Sequence, residues 1–142
     1  MKTLLPFVVP QAAAVPLRTT AAGRVEVLLV TSRKGRRWIV PKGMTWFFGD
    51  PPATARREAY EEAGVEGEVA GGAVGSYEYR KRGVAYRVTV YLLRVTREYD
   101  DWPERKLRRR RWASRRDARR LVRPKEMRAL IDEAIARLRE TA

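Results

Sequence analysis

The chain has 142 residues, 44% of them hydrophobic, and a formal net charge of +14 from 31 basic and 17 acidic side chains. That length supports one domain, residues 1–142, with a proper core. The absence of cysteine and histidine excludes disulfides, Cys/His zinc sites and any Ser-His or Cys-His nucleophilic mechanism, and leaves carboxylates, lysines, hydroxyls and metal ions for catalysis.

The opening MKTLLPFVVP is too short and proline-broken for a signal peptide, and no run approaches transmembrane length, so no membrane association and a cytoplasmic location are expected. Strands are expected at residues 12–18, at residues 24–32 around VEVLLV, and briefly at residues 37–40. A helix should follow. Asp50 before Pro51 provides an N-cap side chain and a proline at the first helical position, and Gly64 suits the left-handed residue that closes the last turn. Residues 66–69 begin another strand, and residues 71–79 and 84–96 form a hairpin about Lys81, Arg82 and Gly83. Ser114 caps a short helix running to Leu121. Pro124 opens a final helix with Met127, Leu130, Ile131, Ala134, Ile135 and Leu138 on one face. No repeat or flexible linker divides the chain.

The helix between Asp50 and Gly64 carries the chemistry. At about 100° per residue, Glu58, Glu61 and Glu62 share one face, and Ala55, Ala59 and Ala63 form a small-residue stripe suited to close packing on a sheet. Arg57 stands four residues before Glu61 and can brace it. Clustered carboxylates repel one another unless a cation compensates, and hard oxygen ligands select Mg²⁺ or Mn²⁺ over zinc. A solvated acidic face is the plainer alternative.

The stretch PKGMTWFFGDPPATARREAYEEAGV resembles the signature of the Nudix hydrolases, Gly-x5-Glu-x7-Arg-Glu-U-x-Glu-Glu-x-Gly-U with U apolar. Gly43 matches its first position, and Arg57, Glu58, Ala59, Glu61, Glu62, Gly64 and Val65 match the last block. RRWIVPKG, EEAGVEGEV, and DWPE followed by an arginine run and Trp112 are similar to the diphosphoinositol polyphosphate and diadenosine polyphosphate phosphohydrolases, especially bacterial ones.

The resemblance implies an α/β/α sandwich with a mixed β-sheet and hydrolysis of a phosphorus anhydride by metal-activated water. Glu58, Glu61 and Glu62 would be metal ligands, joined by the backbone carbonyl at Lys42 or Gly43, and Arg57 would complete the catalytic set. The general base would be Glu58 or a carboxylate from a later loop. Glu104 is the candidate, in competition with Glu78, Asp100 and Asp101. One signature glutamate is replaced by Gly49. In the family that residue braces loop and helix through the signature arginine, so its loss leaves open substitution by Asp50, a weakened second metal site, or a non-catalytic binding module.

Of the 31 basic residues 25 are arginine, clustered at positions 33–37, 80–82 and 105–111, and the guanidinium fork binds phosphate oxygens in pairs. A polyphosphorylated small molecule is the expected substrate. Lys42, fixed beside the signature glycine, and Arg37, Arg33 and Arg80 are the candidate phosphate contacts. The same charge suits nucleic acid, so an RNA 5′ end is the competing substrate. Trp46, Phe47 and Phe48 are expected to pack in place of the missing glutamate brace or to wall a ligand pocket. Trp38 and Trp112 are expected in the core or sheet.

Overall fold

The computed structural model describes residues 7–46 and 49–141. Its elements are β1 (Val8–Thr19), β2 (Val25–Thr31), β3 (Trp38–Ile39), β4 (Lys42–Met44), α1 (Pro51–Ala63), β5 (Val65–Val69), β6 (Gly75–Lys81), β7 (Val84–Glu98), β8 (Arg110–Ser114), α2 (Arg115–Leu121) and α3 (Lys125–Glu140). Among the described residues the strands join in one mixed sheet. β1 and β7 form its parallel centre, in register from Val8↔Ala85 to Leu17↔Arg94. At its two ends β1 also pairs antiparallel with β4 and with β2.

The inner strands read as almost continuous apolar runs because both of their faces are covered. Side chains alternate across a strand. Ala13, Val15, Leu17, Val27 and Leu29 therefore meet Met127, Ile131 and Ile135 of α3 on one face. Ala12, Ala14, Leu28 and Val30 meet Ala55, Ala59 and Ala63 of α1 on the other. Alanine against alanine lets α1 lie close to the sheet, and this brings its carboxylates to the sheet margin.

Several details depart from the sequence expectations. β4 and β8 were not anticipated: KGM has no apolar alternation, and RRWAS is dominated by charge, yet β8 adds to β2 in register from Glu26↔Ser114 to Val30↔Arg110. The hairpin turn is only Arg82 and Gly83, both at positive φ (53° and 79°), and Lys81 pairs with Val84; this matches a two-residue turn whose twist suits a hairpin. The strand before it starts at Gly75 rather than Gly71. Asp50 occupies the N-cap without a side-chain cap bond; its backbone carbonyl accepts the Thr54 amide at 2.9 Å. Gly64 closes α1 at φ 68°, as expected.

Trp38 and Trp112 lie half-buried on β3 and β8. Trp46 is 69% exposed, while Phe47 and Phe48 lie outside the described residues. Among the described residues, no helix is long and apolar enough to cross a membrane.

Candidate active site

β4 gives consecutive residues to two sides of the sheet margin. Gly43 meets α1: a Cβ built there would stand 2.3 Å from Glu58 Cδ and 2.6 Å from its Oε1. Only a residue without a side chain lets the strand approach the carboxylate so closely. Lys42, one residue earlier, turns toward β6, where its Nζ donates to the Tyr79 hydroxyl at 3.1 Å and to Gln11 Oε1 at 3.4 Å.

The segment after β7 is fastened to the C-terminal end of α1. The Glu104 amide donates to the Glu61 carbonyl (2.9 Å), Trp102 Nε1 to the Glu62 carbonyl (3.0 Å) and Arg110 Nη1 to the Ala63 carbonyl (3.0 Å). These carbonyls are among those a helix end leaves without intrahelical partners, so a structural need carries Glu104 to the acidic face. There Arg108, whose side chain is only 6% exposed, donates from Nε to Glu104 Oε1 at 2.8 Å and approaches Glu62 Oε2 to 3.8 Å.

Glu62 is buried. Burial pushes its carboxyl up to about 8, against the pull of Arg108, with further upward pressure from its hydrogen bond to Glu58 and from the charges of Glu58 and Glu104. Burial also raises Glu58, opposed by the hydrogen bond from Glu62. Burial and mutual repulsion thus favour a shared proton on the Glu58–Glu62 pair in the metal-free protein. Among the described residues no three acidic groups already converge on an ion-sized point. The donor set nevertheless suits a hard divalent cation, because its side-chain donors are carboxylate oxygens, desolvated and mutually repelling, with Gly43 clearing space beside Glu58.

Several expected contacts are redrawn. Arg57 pairs with Glu58 at 3.6 Å rather than bracing Glu61, and its side chain is half exposed. Of the rivals to Glu104, Glu78 is taken by Arg87 and Asp101 by Arg105, and Asp100 is exposed.

On the opposite face of β4 lies a cavity of about 390 Å³, with Arg37, Lys42 and Arg80 at its walls together with Lys81 and Arg123. Tyr77, Val40 and Met127 supply its apolar side. Arg33 does not line it and is exposed after β2. Lys81 and Arg123 were missed as site residues. Lys81 lay within a recognised basic cluster, whereas Arg123 is brought in only by the turn before α3. Tyr79 was missed too: it stacks on Tyr86 (centroids 5.0 Å apart), donates to Gln11 Oε1 at 2.8 Å and lies under the Lys42 ammonium.

A family model, the NUDIX domain, matches residues 9–138. The chain belongs to the Nudix family. Nudix hydrolase 4 of Arabidopsis thaliana is 35% identical over 97 residues, covering 67% of this chain and 46% of the relative. Diphosphoinositol polyphosphate phosphohydrolase 2 of Rattus norvegicus is 44% identical over 80 residues, 56% of this chain and 43% of the relative. The chain thus spans about half the length of these curated relatives. Among solved structures, the C. elegans Ap4A hydrolase superposes with a TM-score of 0.77 at 26% identity, over 93% of this chain and 99% of that one. The α/β/α architecture and mixed sheet expected from the Nudix resemblance are those found.

Proposed function

We propose that this Nudix protein, as one domain spanning residues 1–142, hydrolyses a phosphorus anhydride in a polyphosphorylated small molecule with Mg²⁺ or Mn²⁺. The observation that carries this reading is the arrangement about β4. A cationic cavity and a carboxylate cluster lie on its two sides, joined through adjacent residues Lys42 and Gly43. A ligand seated in the cavity can pass its phosphates over the strand to the carboxylates.

Glu58, Glu61, Glu62 and the carbonyl of Gly43 would hold the cation. When bound, it lowers the pKa of water and neutralises charge developing on phosphoryl oxygens. Arg37, Lys42, Arg80 and Lys81 bind the remaining phosphates and concentrate anionic ligands at the cavity. Glu58 or Glu104 accepts the proton of the attacking water. A diadenosine polyphosphate or diphosphoinositol polyphosphate is the preferred substrate, on the likeness to proteins named for those activities. The cytoplasm is the compartment we assign.

A second reading, an RNA 5′ end as substrate, is favoured by Arg33, Lys34, Arg36 and Arg82. They are exposed in the two turns adjoining the cavity and outside its lining, where a longer polyanion would pass.

Product analysis on dinucleoside polyphosphates, diphosphoinositol phosphates, nucleoside triphosphates, sugar nucleotides and capped or triphosphorylated RNA, with Mg²⁺ and Mn²⁺, tests the assignment. Metal-dependent cleavage of a small-molecule anhydride is the expected result, and the best substrate fixes the branch. Preference for RNA would select the second reading. Metal binding without turnover on any of them would favour a binding module. Lys42→Ala should raise KM for the best substrate about tenfold, the loss of one charge-assisted phosphate contact. Steady-state kinetics showing an unchanged KM would remove Lys42 from the binding set.

A further inference from the structure

The best-buried cation found at the acidic face is not the signature arginine. Arg57, with glycine at position 49, is half exposed, and among the described residues its ion pair is a 3.6 Å contact with Glu58. Arg108 has a side chain 6% exposed and a separate task for each guanidinium nitrogen: Nε donates to Glu104 (2.8 Å), Nη1 to the Thr31 carbonyl at the end of β2 (3.0 Å), and Nη2 faces Glu62 (3.8 Å). Its neighbour Arg109 donates its amide to Thr31 Oγ1 at 2.9 Å, anchoring the backbone beside it. A planar fork can make such directed contacts where an ammonium cannot. The carboxylate of Glu104 is thus oriented by Arg108, while its amide is held by Glu61.

We propose that Arg108 is a positioning residue of the carboxylate centre: it holds Glu104 against α1 and supplies, in the metal-free protein, a resident positive charge with which a divalent cation competes. This rests on the hydrolase reading given above. Two opposite consequences follow from one side chain. Loss of Arg108 leaves Glu104 without its partner and slows turnover. It also removes a cation from the neighbourhood of the incoming ion and tightens the binding of that ion to the ionised carboxylates. A residue needed only for packing would weaken both or neither, and one that only grips substrate would change KM.

The test compares the full chain with Arg108→Met, which keeps much of the side chain's length without charge, and Arg108→Lys, which keeps the charge but cannot make all three contacts. Mn²⁺ affinity is measured by calorimetric titration at rising pH and compared where it no longer changes with pH, and kcat and KM are measured on the best substrate of the panel. Arg108→Met should bind Mn²⁺ at least threefold tighter, with kcat at least tenfold lower and KM within threefold of wild type. Arg108→Lys should retain wild-type Mn²⁺ affinity but still lose kcat, and it carries the test if Arg108→Met does not fold. In a Glu104→Gln background Arg108→Lys should cost little further kcat, because the two residues act as a unit. Mn²⁺ binding by the wild type with no change in affinity or kcat in either variant, or a change confined to KM, would overturn the inference alone. Failure of the wild type to bind Mn²⁺ would overturn both the hydrolase reading and this inference.

Discussion

Glu62→Gln is expected to lower kcat/KM at least about 10³-fold, about 4 kcal/mol of transition-state stabilisation, while making the metal-free protein more resistant to heat at alkaline pH. Glutamine keeps the shape of the side chain and its place beside Arg108 but cannot supply an anionic oxygen. The stability gain follows from the carboxyl of Glu62, raised by burial from 4.5 in the unfolded chain to about 8 in the folded one. Below pH 4.5 both states hold the proton, and Glu62 has no pH-dependent cost. Between there and about pH 8 the unfolded chain releases the proton and the folded chain keeps it, so folding loses stability with every rise in pH; beyond pH 8 the loss is complete. The variant lacks this slope. Its melting temperature relative to wild type should therefore rise from pH 5 to pH 9, by several degrees for a chain of this size. Mg²⁺ requires the same proton to leave, so its affinity for wild type should increase up to about pH 8. Scanning calorimetry at pH 5, 7 and 9, with and without Mg²⁺, measures both effects. Parallel melting curves for the two proteins at all three pH values would contradict the buried, proton-holding Glu62.

Residues with local signals were legible in the sequence. The ends of α1 could be read from Pro51 and Gly64, its alanine stripe from the four-residue spacing, and its acidic face from the positions of Glu58, Glu61 and Glu62. The contacts that make this face a site depend on long-range register. Arg108 lay inside a run of seven residues, 105–111, that reads as uniform solvated charge. Only the pairing of β8 with β2 and the fastening of residues 102–104 to the end of α1 separate buried Arg108 from exposed Arg109. The cavity has the same origin. Lys42, Arg80 and Arg123 are far apart in sequence and meet because β4, β6 and the start of α3 surround one space. The missing side-chain cap at Asp50 shows the reverse: a strong local preference left unused, while the helix starts on a proline and a backbone bond.

Gly43→Ala should cost about 100-fold in kcat, nearly 3 kcal/mol, and leave the melting temperature within a few degrees of wild type. The added Cβ would meet Glu58 alone among its nearest neighbours, at Cδ, Oε1 and Cγ, all within 2.7 Å. Such a collision is relieved by moving the outer part of a side chain. Gly43 is not among the residues at positive φ, and its pairing with Ala12 in β1 can accommodate alanine. The substitution should therefore push one carboxylate out of the cluster without disturbing the ladder. Gly67→Ala is the natural comparison: its Cβ would stand 2.0 Å from the Arg94 carbonyl oxygen, a backbone atom that cannot swing away. That variant should lose about 1–3 kcal/mol of stability and keep kcat at temperatures where it is folded. A second check uses Gly43→Ala in a Glu58→Gln background. If expulsion of Glu58 is the whole mechanism, the double variant should be little slower than Glu58→Gln alone. Multiplicative losses, or a melting temperature for Gly43→Ala as low as that of Gly67→Ala, would show that position 43 serves the sheet rather than the carboxylate.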